Sequence, residues 1–218
     1  MTLTALIKAW PILKKQVKTL RVPWLEDFSA DDQDPFKVLI ACILSLRTQD
    51  KTTGAASEQL FRIAATPKAL SRLPIETIEK TIYPVGFYRV KAKTIKNLSR
   101  ELVDNHNSQV PDSLEGLLAL KGVGRKTANL VLTRGFNKYG ICVDTHVHRI
   151  TNRWGLVATK SPDETEAALR EVLPKRYWKG LNAILVAFGQ NICKPLSPLC
   201  SQCRISDYCE KRSVTRHR

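Results

Sequence analysis

Residues 120–132 read LKGVGRKTANLVL, and this stretch governs the reading of the whole chain. Gly122 and Gly124 stand two apart around an apolar Val123. A run capped by Ser113 precedes them and a second apolar run follows. Glycine permits a tight reversal and leaves no Cβ to hold a partner's backbone away. The pattern predicts two helices, Leu114 to Leu120 and Arg125 to about Arg134, joined by a hairpin. The first amides of the second helix carry partial positive charge that suits a phosphate, and Lys121 and Arg125 add cations beside them. Taken alone, Gly-x-Gly between helices is explained equally well by a plain helix–helix turn.

Lys126 lies in the first turn of the second helix, and Asp144 follows at another helix start. A lysine ammonium is no nucleophile, since only about one in 2,500 is neutral at pH 7. Burial or a neighbouring cation such as Arg125 favours the free amine. Asp144 can accept its proton or stabilise positive charge on a sugar. The competing reading is a solvated surface lysine.

Outward from the hairpin, nearly every segment reads helical. Asp34-Pro35 opens a helix over Phe36 to Leu46 that is apolar on almost all faces, hence central and buried. Asp50 is placed to cap a helix running towards Ala65, Thr66-Pro67 opens a short one, and Pro74 another. Residues 88–105 set Val90, Ile95, Leu98 and Leu102 on one stripe, with Lys and Arg opposite. Asp144 caps a helix through Asn152, and Ser161-Pro162-Asp163-Glu164 forms a capping box. Trp178, Leu181, Ile184, Leu185 and Phe188 mark the apolar face of the last long helix. No alternating pattern lasts long enough for a sheet, so the class is all-α.

The 218 residues carry a net charge of +15, the electrostatic footprint of a polyanion binder. No segment is long and apolar enough to cross a bilayer. The opening MTLTALIKAWPILKK reads as an amphipathic helix followed by a turn at Pro11, not as a signal peptide. Four of six cysteines, Cys193, Cys200, Cys203 and Cys209, follow the pattern C-x6-C-x2-C-x5-C. Clustered thiols favour a metal site over disulfides. Zinc and an iron–sulfur cluster both take tetrahedral sulfur, and spacing physics slightly favours zinc. Cys42 and Cys142 read as buried small hydrophobes.

GVGRKTAN, then VDTHV at 143–147, then the cysteine run closely resemble the endonuclease III family of helix–hairpin–helix DNA glycosylases, from Pro35-Phe36 to Cys209. The resemblance implies a six-helix barrel domain over residues 28–138, with the helix–hairpin–helix at about 113–134. It implies a cluster domain from residues 1–27 plus 139–218, and a DNA-binding cleft between the two. Lys126 matches the family's Schiff-base lysine and Asp144 its essential aspartate, with Thr145 and His146 beside it in the pocket. The four cysteines match the [4Fe–4S] loop, 193–209. Gly122, Val123, Gly124, Arg125 and Lys121 fall at the DNA-contacting hairpin, where Lys121 replaces the usual proline. Arg47 stands where the family's gap-filling glutamine is usual, and Phe87 where a leucine is usual.

The implied activity is removal of oxidised pyrimidines from duplex DNA, followed by β-elimination at the abasic site. The implied partner is double-stranded DNA containing damaged bases or abasic sites. A cytoplasmic, nucleoid-associated monomer without membrane attachment is expected. Two readings compete: a monofunctional glycosylase for mismatched thymine, uracil or adenine, and a DNA-binding module without catalysis. Monofunctional relatives generally lack a lysine at position 126, and a non-catalytic module would have lost Lys126 or Asp144.

Overall fold

The computed structural model describes residues 1–20 and 34–218, and among these the regular structure is helical, with no strand. In chain order the α-helices are α1 (Leu3–Val17), α2 (Pro35–Ser45), α3 (Asp50–Ile63), α4 (Pro67–Arg72), α5 (Ile75–Ile82) and α6 (Tyr88–Asn105). They continue with α7 (Leu114–Ala119), α8 (Arg125–Arg134), α9 (Thr145–Trp154), α10 (Pro162–Val172) and α11 (Trp178–Asn191). Short 3-10 turns follow at Cys200–Gln202 and Ser206–Tyr208. The chain divides into two compact units, Trp24–Lys138 and Met1–Pro23 with Tyr139–Arg218. The division expected at residues 27 and 28 lies outside the described residues.

Within Trp24–Lys138, α2 is the central element and packs against α3, α6 and α8. It starts because Pro35 supplies a preset φ and the Asp34 carboxylate accepts from the Phe36 and Lys37 amides. Val38, Leu39, Ile40, Ala41 and Leu44 are fully buried, so no face of the helix is left for water. Each such leucine or isoleucine contributes about 1.5–3 kcal/mol of burial free energy. Cys42 is buried among them, as its apolar neighbours predicted.

Within the other unit, α11 packs on α1 and α9 over a core containing Leu6, Leu13, Ile150, Trp154, Leu185 and Phe188. The predicted turn at Pro11 is absent. Helix α1 continues through Pro11 to Val17, since Leu6 and Ala9 before it and Leu13 and Val17 after it all bury on one face. Tertiary burial outweighs the single hydrogen bond that proline forfeits.

Three local expectations also shift. Asp50 is the first residue of α3, not its cap; Gln49 occupies that position without a side-chain bond. Val90 is exposed and Lys91 buried, so the apolar stripe of α6 runs through Ala92, Ile95, Leu98 and Leu102, with a buried lysine at its start. The capping box forms with a variation: the Ser161 hydroxyl accepts from the Glu164 amide, while the Glu164 carboxylate reaches back to the Lys160 amide.

Candidate active site and cysteine pocket

The hairpin between α7 and α8 contains two glycines with different duties. Gly122 has φ +90, which an L side chain rarely adopts, and an added Cβ would also sit 2.8 Å from Thr94 Cγ2. Gly124 has φ −93 and ψ 171, ordinary extended backbone, and its Cβ would meet nothing within 4 Å. The fold requires glycine at 122 and does not require it at 124. Between them Val123 is buried and its amide donates to Leu120 O, which pins the turn. Lys121 and Lys126 are exposed and Arg125 half-buried, so cations surround the first turn of α8. Lys126 also acts on α2: burial pushes the Cys42 thiol up to about 12, against an opposing pull from the Lys126 ammonium.

Asp144 caps α9. Its Oδ1 accepts from the His146 and Val147 amides, both at 2.9 Å, which fixes the carboxylate at the positive end of the helix. Thr145 beside it is exposed. The His146 ring meets Arg149 Nη2 at 3.1 Å and lies against Gly189 of α11, where a Cβ would approach its Nδ1 to 2.4 Å. His148 Nδ1 pairs with Thr165 Oγ1 at 2.7 Å, a structural bond. Lys126 belongs to the Trp24–Lys138 unit and Asp144 to the other.

Arg47 and Phe87, 40 residues apart in sequence, are brought together. The Arg47 guanidinium carbon lies 5.8 Å from the Phe87 ring centre, and the phenylalanine is 61% exposed. Both residues hold left-handed backbone, φ 52 and φ 58. That conformation costs an L residue about 1–2 kcal/mol. Such strain persists only where surrounding contacts impose it.

Cys193, Cys200, Cys203 and Cys209 line one pocket, walled by Trp154, Phe188, Ile192 and Leu199. Arg153 Nη1 reaches Cys193 Sγ at 3.5 Å, and the Lys211 amide donates to Cys209 Sγ at 3.3 Å. Burial pushes the Cys203 thiol up to about 11. Among the described residues, no three His, Cys, Asp or Glu side chains are grouped closely enough to hold one metal ion.

Residues 40–175 match the HhH-GPD superfamily of base excision DNA repair proteins. Over 179 residues the chain is 50% identical to endonuclease III of Thermotoga maritima, covering 82% of this chain and 84% of that protein. The chain belongs to the endonuclease III family. A trapped covalent endonuclease III–DNA intermediate superposes with a TM-score of 0.84 at 31% identity, covering 97% of each chain. A thermostable thymine-DNA glycosylase superposes at 0.81 with 25% identity over 95% of each chain. No helix among the described residues is long and apolar enough to cross a membrane.

An endonuclease III family member is expected to carry an iron–sulfur cluster, and the pocket's donor set fits one: four soft thiols, apolar walls and N–H groups aimed at two of the sulfurs. Sequence reasoning missed two features of this endonuclease III fold. Arg149 and Arg153, one turn apart on α9, tie the Asp144 helix to the first cysteine. Arg149 donates to Cys193 O at 2.8 Å, and Arg153 to Lys194 O at 2.7 Å and to Pro195 O. Their four-residue spacing was the available signal. The other is Lys91, which charge alone assigned to a solvated face.

Proposed function

We propose that this chain is a bifunctional DNA N-glycosylase and abasic-site lyase that acts on oxidised pyrimidines in duplex DNA. The carrying observation is the place of Lys126, in the first turn of the helix after a glycine hairpin open at Gly124, in a chain 50% identical to an endonuclease III. The thymine glycosylase shares the fold, so the fold leaves the reaction undecided and the lysine discriminates.

In this reading the hairpin amides, Lys121 and Arg125 hold backbone phosphates, and the damaged nucleotide rotates out of the stack. Flipping costs a few kcal/mol and is cheapest at damaged pairs. Phe87 and Arg47 fill the vacated space by stacking and cation–π contact. The neutral Lys126 amine attacks C1′ as the glycosidic bond breaks and the base leaves. Asp144 takes the ammonium proton or stabilises positive charge on the sugar, with Thr145 and His146 shaping the pocket. The C1′–O4′ bond then opens, with a proton passing to O4′, and leaves an imine that acidifies the C2′ proton; loss of that proton expels the 3′ phosphate, and water then releases Lys126.

Cys193, Cys200, Cys203 and Cys209 hold a [4Fe–4S] cluster in this reading. Four thiols lining one apolar pocket supply the ligand number that such a cluster takes. A cluster stabilises the C-terminal segment by supplying ligand bonds in place of a core. The protein acts as a monomer on cytoplasmic, nucleoid DNA.

Borohydride trapping on a panel of lesion duplexes tests the reading, since it reports imine chemistry and base preference together. A trapped adduct on oxidised-pyrimidine duplexes is expected. Base release with no adduct on any duplex would instead make this a monofunctional glycosylase. Purified protein is expected to contain about four irons per chain, and stoichiometric zinc without iron would overturn the cluster assignment.

A further inference from the structure

Lys91 is buried in the first turn of α6, with 6% of its surface exposed, while most other charges among the described residues are not buried. Its ammonium has three acceptors, none of them a carboxylate: Leu44 O at 2.8 Å, Leu46 O at 2.5 Å and Thr48 Oγ1 at 2.9 Å. Two of these are carbonyls at the end of α2, where a helix presents partial negative charge and unpaired oxygens. Arg47 sits between the two gripped residues Leu46 and Thr48. The same Thr48 hydroxyl accepts from the Gly86 amide at 3.2 Å, next to Phe87. Gly86 is glycine because a Cβ there would stand 2.6 Å from Arg47 O. Lys91 is also one helical turn past Phe87, whose carbonyl accepts its amide at 3.0 Å.

We propose that Lys91 is a positioning residue for base excision, which grips residues 44–48 from the base of the Phe87 helix and so holds Arg47 and Phe87 as one wedge. Burying an ammonium is costly, and burial pulls Lys91 down to about 8 from its ordinary 10.5. The two left-handed residues, φ 52 and φ 58, also store strain. Pairing the α2 carbonyls rewards the buried charge, but it does not require the strained backbone at Arg47 and Phe87. The strain, and the Thr48 hydroxyl that Lys91 and the Gly86 amide share, make sense if an ordered Arg47–Phe87 pair is what the chain retains. A preset wedge enters the stack without first losing its own conformational freedom. Lys91 touches no reacting atom in this scheme and acts through the pair.

The inference rests on the reading of Arg47 and Phe87 as the gap-filling residues, and a double-mutant cycle separates the two. Base release from a duplex carrying one thymine glycol is measured under single turnover for wild type, Phe87→Ala, Lys91→Met and the double variant, below their melting temperatures. Lys91→Met is expected to slow release about 10–100-fold, the loss typical of a misplaced positioning group. In the Phe87→Ala background the same change is expected to cost less than about threefold, because a lysine that works through the wedge has nothing left to position. Equal factors in both backgrounds, or no loss in either, overturn the proposal. Should Lys91→Met fail to fold, Thr48→Val decides: it removes the hydroxyl that joins the two loops and keeps both carbonyl bonds. A loss in wild type that vanishes with Phe87→Ala supports the proposal, and an equal loss or none overturns it. Phe87→Ala without effect breaks the wedge reading and the lysine proposal together. Borohydride trapping by wild type and Lys126→Gln on the same duplex tests the imine chemistry independently.

Discussion

The Gly122–Lys126 hairpin and the Arg47–Phe87 pair are both proposed to meet DNA, yet they are built on opposite principles. The hairpin is local: five consecutive residues set its turn, cations and amine, and one buried valine pins it. The pair is assembled from two loops 40 residues apart, each in strained backbone, and an ammonium beneath them supplies the hydrogen bonds. A local device is damaged where it is cut. An assembled one can be damaged from a residue that never approaches the ligand.

The largest effect is expected at the local device. Lys126→Gln removes the amine, so strand nicking and the trapped adduct disappear. Affinity for abasic duplex stays close to wild type, because the hairpin amides remain. Full lyase activity in this variant would mean that another amine is the nucleophile. Asp144→Asn preserves much of the cap on α9 and removes its charge. Base release is expected to fall about 10²–10⁴-fold, with slow trapping on a pre-formed abasic site surviving. Loss of binding instead would assign Asp144 to structure.

Alanine at the two hairpin glycines sharpens the contrast within the local device. Gly124→Ala is expected to melt within a few degrees of wild type yet bind duplex more weakly, since the fold has room for the methyl and a DNA backbone at that face has not. Gly122→Ala is expected to lose about 1–2 kcal/mol of stability from its positive φ alone. Calorimetry with fluorescence anisotropy checks both, and unchanged affinity in Gly124→Ala would move the DNA away from the hairpin.

A broader electrostatic effect follows from the charge of +15. With about five phosphates neutralised, log K is expected to fall against log salt with a slope near −4.5. A slope flatter than about −2 would place most of that charge off the interface.

A pH effect on stability belongs to the assembled device. The folded value for Lys91, about 8, lies below its ordinary 10.5. Between those limits the unfolded chain holds more protons than the folded one, so stability rises with pH across that window and is indifferent to this group below it. The melting-temperature difference between wild type and Lys91→Met is therefore expected to shift in favour of wild type from about pH 8 to 10. A difference constant over that range would mean that Lys91 is not desolvated.

The same division runs through what could be read in advance. Helix starts with a proline and a side-chain acceptor, at Asp34-Pro35, Thr66-Pro67 and Ser161-Pro162, stand where the residues put them. Asp144 caps α9 and α8 spans Arg125–Arg134, as their order predicted. Errors arose where a distant contact outweighed a local preference. Pro11 signals a turn, and the buried face of α1 carries the helix through it. Lys91 signals a solvated face, and three oxygens from another helix end draw it inward.

Residue order was therefore enough for the all-helical class, the hairpin with its lysine, the capping aspartate and the cysteine spacing, because each depends on groups a few positions apart. The meeting of Arg47 with Phe87, the burial of Lys91 beneath them, the arginine ties from α9 to Cys193 and the different demands on Gly122 and Gly124 needed the folded chain. Each is set by which atoms lie across a gap from one another, and a charge or a glycine reads the same in sequence whether that gap is filled or open.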